Sequence, residues 1–540
     1  MSTMLIKNGT VIDGMGTVPF PADVLIVGDR IADIISRGPV PTVEGTVPAS
    51  SRGTVPASGG TVPAADEVID AGGCFVTPGF IDAHAHSDAY LVIEPDAPSK
   101  ISQGVTTEVN GQCGGSAAPR YGEARLSSDW ASLLGDRLTW RSFAEYRAAL
   151  EAAAPALNVV AFVGHNTLRS SVIGYAGRAA TPDEIRQMAR LLDESIDAGA
   201  KGLTTGLIYQ PGKYATPDEV LALATAAARK GGLYATHMRS EGDEILEAIG
   251  EVESLAEKSG VRVEISHLKT SGAKNWGKID AVLEKIESAM AKGLFLGSDR
   301  YPYCAAGTDL DVVLPDWAQE GAAKAECERL ADAATRRRIE REIDDSGRDW
   351  STVMVGGTWS DETKPFSGRT VAEAAARLGA SPGALVCRIL EKDLCRTGAF
   401  FFTMCEENLN KILSRPWIVP GSDASLRAPW GPLGADHPHP RAYGTMPEFY
   451  RRLRVLGVSR TDAVARMTSV PARRFGLRGR GVLARGAFAD VAVWREEEFA
   501  SAATYARPHA FATGVAATVV NGLVAFRPGG RPSRRAGRVL

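Results

Sequence analysis

The sequence predicts an α/β protein: a (β/α)8 TIM-like barrel with a small β-sandwich domain built from both termini and an inserted lid segment. Three observations support this prediction. From residue 73 to about residue 425, short apolar runs typical of strands alternate with amphipathic helix patterns. Both ends of the chain carry short strand patterns without long helices between them. The length of 540 residues exceeds that of one ordinary domain.

The N-terminal part of the small β domain is predicted at residues 1–72. Apolar runs at 4–12, 22–27 and 30–35 are separated by turn residues such as Gly28-Asp29. Glycine and aspartate between apolar runs are typical of antiparallel hairpins. We therefore expect these runs to pair with one another as short strands.

A low-complexity loop is predicted at residues 38–65. It is rich in Gly, Ser and Pro, and it contains Thr-Val-Pro-Ala at 46–49, 54–57 and 61–64. A segment of this composition cannot pack a core, so we interpret it as a loop rather than as a repeat architecture, and we assign it no function.

The barrel is predicted at residues 73–308 and 376–475. Its eight strands are expected at 75–84, 105–110, 159–163, 202–208, 233–237, 261–267, 294–298 and 417–421. Thr181 and Thr216 each precede Pro-Asp-Glu, the signature of a capping box with proline at the first helical position. Because catalysis in such barrels takes place at the carboxyl ends of the strands, the residues there are the candidates for a functional site.

An inserted segment interrupts this alternation at residues 309–375. It contains a charged helix pattern at 322–343 and a short apolar run at 353–355. A long insertion at the catalytic face of a barrel is typical of a lid, and we predict that role for it.

The C-terminal part of the β domain is predicted at residues 476–540. It follows a helix near 461–475 and contains strand patterns at 489–494 and 517–526. We expect these strands to pair with the N-terminal ones, because their lengths and turn residues match.

Composition indicates a reduced, cytoplasmic protein. The net charge of −3 gives no reason to expect nucleic acid or an anionic membrane as a partner. No apolar run approaches the ~20 residues of a membrane helix, and the N-terminus lacks the pattern of a signal peptide. The seven cysteines are odd in number and form no Cys-x-x-Cys pair, so a disulfide framework is not expected.

Six potential metal ligands are predicted to meet at the carboxyl ends of the barrel strands. His84 and His86 are two residues apart at the end of the first strand, so their side chains share a face. Cys113 follows the second strand and Asp423 follows the eighth, whereas His237 and His267 end the fifth and sixth strands. Six such groups at one end of a barrel are difficult to explain by packing alone, and they indicate a metal site.

Motifs over nearly the whole chain carry a family resemblance. They lie at 78–86 (Pro-Gly-Phe-Ile-Asp-Ala-His-Ala-His), at Cys113, and at 164–169, 202–209, 236–239, 266–269, 301–303, 421–423, 437–441 and 486–490. Together they resemble the D-aminoacylase (N-acyl-D-amino-acid deacylase) family of the amidohydrolase superfamily. The resemblance implies a zinc-dependent hydrolase that converts small N-acyl-D-amino acids into a D-amino acid and a carboxylate.

The resemblance also implies a ligand set. Many superfamily members place a carbamylated lysine at the end of the fourth strand, whereas residues 204–209 contain none. In the resembled family a cysteine after the second strand takes that role, and Cys113 occupies this position. The implied tight zinc site is Cys113, His237 and His267, with His84 and His86 as a weaker second position. Asp423 is counted with the metal-site residues and is expected to transfer the proton.

Lys269, Tyr301 and Arg441 match family positions that bind the substrate's carboxylate. A planar guanidinium suits a bidentate contact with a carboxylate, and a lysine adds a point charge. His165, at the end of the third strand, is a further candidate that either lines the pocket or fixes a loop. Gly307 stands where a serine is expected in relatives, which leaves one carboxylate contact open.

Two alternatives to a linear-amide deacylase remain. The first is a cyclic-amide amidohydrolase of the hydantoinase or dihydroorotase kind, against which the missing fourth-strand lysine counts. The second is a non-catalytic barrel scaffold, which should have lost ligands that this sequence retains. The sequence leaves open the acyl group, the preferred D-side chain, one metal against two, and the oligomeric state.

Overall fold

The computed structural model describes residues 2–38, 65–126, 128–530 and 534–540. The predicted loop at 38–65, with its three Thr-Val-Pro-Ala copies, lies outside the described residues except for its two end positions. Among the helices that the structure describes, none is both long enough and apolar enough to cross a membrane.

The strands are β1 (Thr3–Val11), β2 (Phe20–Val27), β3 (Arg30–Ser36), β4 (Glu67–Asp70), β5 (Phe75–Pro78), β6 (Phe80–Asp82), β7 (Val105–Asn110), β8 (Asn158–Ala161), β9 (Val163–Gly164), β10 (Gly202–Gly206), β11 (Leu233–His237), β12 (Arg262–Ile265), β13 (Leu296–Arg300), β14 (Ala306–Asp309), β15 (Val353–Val355), β16 (Gly398–Phe401), β17 (Ile418–Pro420), β18 (Val491–Trp494), β19 (Val515–Val520) and β20 (Leu523–Phe526).

The α-helices are α1 (Tyr90–Ile93), α2 (Pro98–Ile101), α3 (Ser128–Leu134), α4 (Phe143–Ala153), α5 (His165–Val172), α6 (Pro182–Asp197), α7 (Pro217–Arg229), α8 (Ile245–Ser259), α9 (Ile279–Ala291), α10 (Asp316–Gln319), α11 (Ala322–Ala331), α12 (Ala333–Asp344), α13 (Val371–Leu378), α14 (Pro382–Lys392), α15 (Glu406–Leu413), α16 (Arg441–Val455), α17 (Arg460–Met467) and α18 (Ser469–Arg474).

Strands from both termini form one eight-stranded sheet with its own hydrophobic cluster. Its order is β20-β19-β18-β5-β1-β2-β3, with β4 also paired to β1. The C-terminal strands therefore join the N-terminal ones through β5, and not by the direct pairing expected. One isolated bridge, between Arg30 and Phe488, links the two groups directly. Strand β5 is central because both of its edges are paired, one with β1 and the other with β18.

The predicted first barrel strand is divided between two sheets at Gly79. Residues before it belong to β5 of the terminal sheet, and residues after it belong to β6, which pairs with β7. A Cβ atom at Gly79 would lie 2.1 Å from the Thr106 side chain, so only glycine fits this crossing. Because of this crossing, the segment with His84 and His86 lies next to the parallel strands.

The parallel strands form sheets of three strands (β6-β7-β8) and six strands (β17-β13-β12-β11-β10-β9). The two sheets are linked at one side through Phe162, between β8 and β9, whose N–H donates to the carbonyl of Asn110. At the other side the Ala83 N–H donates to the Pro420 carbonyl at 3.0 Å. Every residue of β7, β10, β11 and β13 is buried, as expected for parallel strands covered on both faces.

The helices around these strands begin where their capping residues predict. Thr181 and Glu184 form a complete capping box at α6. Thr216 caps α7 through the Glu219 N–H, but the Glu219 carboxylate does not return to the cap. It binds the Arg169 guanidinium and the His165 ring instead. The predicted capping box at α7 is therefore incomplete, and its glutamate belongs to a buried ion cluster.

The inserted unit is larger than predicted. Its three strands form an antiparallel sheet in the order β14-β16-β15, and a separate hydrophobic cluster includes Leu310, Val353, Leu385 and Phe401. Helices α13 and α14 pack into this cluster, so the unit spans residues 306–401, and its predicted end at residue 375 is too early. The predicted helix at 322–343 is also two helices, divided at Asp332, which caps α12.

Two carboxyl groups in the inserted unit, the half-buried Asp311 and the buried Glu326, make its local stability depend on pH. Burial and the neighbouring Glu326 raise the pKa of Asp311 to about 8. Burial raises the pKa of Glu326 to about 7. Because both values exceed those of an unfolded chain, the folded unit binds more protons, and stability should fall as pH rises from about 4 to about 8.

We expect hydrogen exchange in α11 and α12, corrected for intrinsic rates, to show more frequent local opening at pH 7.5 than at pH 6. The expected increase is about threefold or more, and Asp311→Asn should remove most of it. Asp361→Asn removes an exposed carboxylate of the same unit and should leave the pH dependence intact. A pH-independent opening rate in the wild type would contradict this assignment.

Candidate metal centre

The predicted metal-site residues lie at the carboxyl ends of the parallel strands. His84 follows β6, Cys113 follows β7, His237 ends β11, His267 follows β12 and Asp423 follows β17. Three of them, Cys113, His267 and Asp423, have positive φ angles of 51°, 35° and 49°. Non-glycine residues held in this region cluster at functional sites, where the surrounding structure fixes them.

The structure brings four of these side chains together. Candidate ligand atoms of His84, Cys113, His267 and Asp423 all lie within 4.8 Å of one another. Cys113 Sγ is 3.3 Å from His84 Nε2 and 3.3 Å from His267 Nε2. Ligand atoms around a tetrahedral zinc ion, with bonds of about 2.0–2.3 Å, are separated by about this distance. The spacing therefore fits a zinc ion.

His86 and His237 border the same cluster. His86 Nε2 lies 3.0 Å from Asp423 Oδ1, and the His237 ring centroid lies 4.5 Å from that of His267. Both ring nitrogens of His237 are buried without a hydrogen-bond partner. Because buried polar atoms are rarely left unsatisfied, two orphan imidazole nitrogens beside a thiol are a second observation that fits a metal ion.

Electrostatics at the cluster favour a cation. Burial opposes the thiolate of Cys113, but the charges of His84 and His267 and hydrogen bonds from the rings hold the pKa of the thiol well below its ordinary value. Burial likewise opposes a charge on His86, yet its bond to Asp423 raises the pKa of its ring to about 9. The pocket thus stabilises positive charge, and its thiolate and imidazole donors suit zinc.

Two carboxylates behind the histidines were not predicted. Asp299 Oδ2 lies 3.2 Å from His84 Nδ1, and Glu241 Oε1 lies 2.9 Å from His267 Nδ1. Carboxylates in this position orient metal-binding imidazoles and fix their tautomers. The predicted seventh strand ended at residue 298, one residue before Asp299. The only sequence signal for Glu241 is its position four residues after His237.

Arg441 joins the proposed proton acceptor to the inserted unit. Its Nη1 donates to Asp423 Oδ2 at 2.8 Å, and its Nη2 donates to the Gly307 carbonyl at 3.0 Å. Burial disfavours the Asp423 carboxylate, but the Arg441 guanidinium and the charge of His267 hold the pKa of Asp423 well below its ordinary value. A Cβ atom at Gly307 would meet Arg441 Nη2 at 3.2 Å, so glycine permits this close approach.

Lys269 and Tyr301 lie beside Arg441. The Lys269 ammonium and the Arg441 guanidinium lie 5.8 and 4.7 Å from the centroid of the buried Tyr301 ring. Lys269 is ion-paired to Glu241, and the Tyr301 hydroxyl has no hydrogen-bond partner. The three predicted substrate-binding residues therefore share one wall of the cluster.

His165 is placed apart from this wall. It is fully buried, and its Nε2 lies 2.9 Å from Glu219 Oε1 in the ion cluster with Arg169. This hydrogen bond ties α5 to α7, while His165 Nδ1 is buried without a hydrogen-bond partner. The adjacent Asn166 donates to the Gly206 carbonyl at 3.3 Å, at the end of β10.

Two further features of the site lay outside the predictions. Lys100 is fully buried and donates to Asp82 Oδ2, Ser422 Oγ and the Ala424 carbonyl at 2.7–2.9 Å. It thereby joins the strand that leads to His84 with the turn that carries Asp423. Tyr209 packs its ring 5.0 Å from His237 and contacts the Thr308 hydroxyl.

Parallel strands whose carboxyl ends present histidines, a cysteine thiolate and an aspartate define the class of metal-dependent hydrolases. Residues 67–526 match the Amidohydrolase family, and the chain belongs to that family. The predicted family resemblance is thereby confirmed.

Characterised proteins are similar over nearly the whole chain. The N-acyl-D-glutamate deacylase of Alcaligenes xylosoxydans xylosoxydans is 35% identical over 541 residues, which cover 99% of this chain and 96% of that protein. A D-aminoacylase structure described for its binuclear metal centre, with one-metal activation and second-metal attenuation, has 33% identity, a TM-score of 0.79 and 99% coverage of both chains. The N-acyl-D-glutamate deacylase of Bordetella bronchiseptica, complexed with zinc and a phosphonate mimic of the tetrahedral intermediate, has 32% identity, a TM-score of 0.80 and the same coverage.

Proposed function

We propose that this protein is a zinc-dependent hydrolase that cleaves the amide bond of N-acyl-D-amino acids and releases a D-amino acid and a carboxylate. The observation that carries the proposal is the cluster of Cys113, His84, His267 and Asp423, whose donor atoms lie within 4.8 Å. Full-length similarity to deacylases that act on this class of substrate supports it.

The proposed architecture is one closed (β/α)8 barrel with two additions. Hydrogen bonds at Phe162 and at Ala83 support joining the two parallel sheets into a single ring. We assign residues 73–305 and 402–475 to the barrel and 306–401 to the inserted lid. The described parts of residues 1–72 and 476–540 form the small β domain, and they supply seven strands of an eight-stranded sheet whose eighth strand is β5. This sheet packs its own core.

Zinc would be held tightly by Cys113, His237 and His267, with His84, His86 and Asp423 at a weaker second position. When bound there, zinc would polarise the scissile carbonyl and lower the pKa of water toward ~7. The binuclear centre described for D-aminoacylase supports two positions of unequal importance.

Asp423 is proposed to accept the proton of the attacking water and to return it to the leaving amine. In the free protein its carboxylate is bound by Arg441 at 2.8 Å. A substrate carboxylate that binds Arg441 would compete for the same guanidinium and so make Asp423 more basic. Substrate binding would thereby activate the proton acceptor.

Lys269, Arg441 and Tyr301 are proposed to bind the substrate's carboxylate. Both cations lie over the Tyr301 ring, and the free Tyr301 hydroxyl can donate a third hydrogen bond. For His165 we favour the loop-fixing role, because its buried contact is with Glu219. The free cysteines are consistent with a cytoplasmic protein, and we propose that location.

The direct test is a release assay. N-acetyl-D-glutamate, N-acetyl-D-leucine and their L enantiomers would be incubated with the zinc-loaded protein, and the free amino acid would be quantified. We expect release from D substrates only. Hydantoin and dihydroorotate serve as cyclic comparisons, for which the lysine-free fourth strand predicts no turnover. Turnover of the cyclic amides alone would favour the hypothesis of a cyclic-amide amidohydrolase. Absence of turnover on every substrate would favour the hypothesis of a non-catalytic scaffold.

Arg441→Ala should mainly damage the hydrolysis of substrates with a free carboxylate. We expect kcat/KM on an N-acyl-D-amino acid to fall, and the fall should correspond to a loss of about 2–4 kcal/mol of transition-state stabilisation. The reason is that the substrate carboxylate loses its bidentate partner. On the corresponding N-acyl-D-amino-acid amide, which lacks the carboxylate, the variant should have nearly the same kcat/KM as the wild type. Arg452→Ala, on the same helix but bound to Glu406 and Glu448, is the matched control. Equal losses on acid and amide would remove Arg441 from carboxylate recognition.

A further inference from the structure

The Glu241 carboxylate contacts more than His267: it lies between two proposed zinc ligands and one proposed substrate-binding residue. It lies in the loop between β11 and α8, with 13% of its side chain exposed. Its Oε1 is 2.9 Å from His267 Nδ1 and also binds the Lys269 ammonium. Its Oε2 is 3.5 Å from His237 Nε2.

The contact with His267 bears on which ring nitrogen carries the proton. His267 Nε2 faces Cys113 Sγ at 3.3 Å, so this nitrogen must present a lone pair to bind zinc. The hydrogen of the neutral ring must then be on Nδ1. A carboxylate can only accept hydrogen bonds, so Glu241 favours this tautomer.

Lys269 acts in the opposite direction. Its Nζ lies 2.7 Å from the same His267 Nδ1. An ammonium can only donate, so a bond from Lys269 would require a lone pair on Nδ1 and would move the hydrogen to Nε2. That tautomer cannot bind zinc through Nε2. The outcome depends on whether Glu241 accepts from both the ammonium and the ring.

We propose that Glu241 is a positioning residue that holds the Lys269 ammonium and keeps His267 in the tautomer that binds zinc. Oε2 of the same carboxylate lies 3.5 Å from His237 Nε2, without a hydrogen bond between them in the free protein. A small approach on zinc binding would let the carboxylate accept the Nε2–H and leave Nδ1 for the metal. This inference rests on the proposed zinc site. It adds that the Lys269 ammonium lowers the affinity for zinc when Glu241 is absent.

The test is a double-mutant cycle read by zinc affinity. Wild type, Glu241→Ala, Lys269→Met and the double variant would be titrated with zinc at pH 7.5 against a chromogenic chelator, and cobalt-substituted samples would be compared by visible absorption. We expect Glu241→Ala to weaken zinc binding about 10- to 100-fold and to reduce the cobalt absorption. Lys269→Met alone should change the affinity less than threefold, and added to Glu241→Ala it should restore the affinity at least threefold.

Glu251→Gln is the matched control. Glu251, in α8, is partly buried and bound to Arg239 in the loop after β11, and its replacement should leave zinc affinity unchanged. If Glu241→Ala does not fold, Glu241→Met, which keeps most of the side-chain volume and accepts no strong hydrogen bond, replaces it in the cycle. Unchanged zinc affinity in the Glu241 variant, or a loss that Lys269→Met does not reduce, would overturn the proposal.

The result separates this inference from the proposed function. A protein that binds zinc with the expected cycle but releases no D-amino acid would refute the deacylase activity alone. A protein that releases D-amino acids with Glu241-independent zinc affinity would refute the role of Glu241 alone.

Discussion

Replacement of Asp423 by asparagine is expected to lower turnover of an N-acyl-D-amino acid by ~10²–10⁴-fold, because an amide cannot accept the proton of water. The fold should persist, since asparagine has the same shape and the Lys100 bonds to Asp82 and Ser422 do not involve the lost charge. Tightly bound zinc should also remain, because Cys113, His237 and His267 are unchanged.

The same substitution should preserve substrate binding or tighten it. In the wild type the Asp423 carboxylate occupies Arg441 Nη1, and removal of this charge frees the guanidinium for the substrate. Calorimetry on the Asp423→Asn variant should therefore detect an unreacted N-acyl-D-amino acid bound at least as tightly as the wild-type KM suggests. Asp316→Asn, which removes an exposed carboxylate, is the control for general effects. Loss of the tight zinc would make Asp423 primarily a ligand, and near-normal turnover would place the base elsewhere.

Cys113→Ala is expected to have the second large effect, on metal content itself. Cys113 is the sole thiolate of the cluster and lies 3.3 Å from two imidazole nitrogens, so its loss removes the strongest donor. Zinc affinity should fall by more than the ~10²-fold that loss of an outer contact costs, and activity at limiting zinc should fall with it.

Chelator competition and mass spectrometry of metal content would measure this effect. Cys405→Ala is the matched control, because Cys405 is also partly buried but precedes α15, away from the cluster. Full zinc content together with full activity in the Cys113→Ala variant is the combination that would exclude Cys113 as a ligand.

The barrel strands could be predicted because strands buried on both faces appear in a sequence as short apolar runs. Strands β7 and β11 coincide with their predicted bounds residue for residue. The division at Gly79 could not be predicted, since the apolar pattern continues through it and only the approach of Thr106 explains the glycine. The end of the inserted unit was also placed too early, because α13 and α14 have the amphipathic pattern of barrel helices.

The residues of the candidate site could also be predicted only in part from the sequence. Histidines and a cysteine at strand ends are rare enough to be recognised one by one. Glu241, Asp299 and Lys100 are ordinary charged residues in the sequence, and their roles depend on partners distant in the chain, such as Ser422, which is 322 positions after Lys100. Only the folded structure brings such pairs together.

The inserted unit has a consequence for how new substrate preferences can arise. It packs its own core, yet its strand β14 provides the Gly307 carbonyl that holds Arg441. Substitutions along β14 can therefore reshape the wall next to the proposed substrate site, while the donors of the metal cluster all lie at the ends of other strands. Selection for altered specificity can therefore change the inserted unit and leave the metal ligands of the barrel unchanged. Residues 306–309 are for this reason the first positions to randomise in a directed-evolution library.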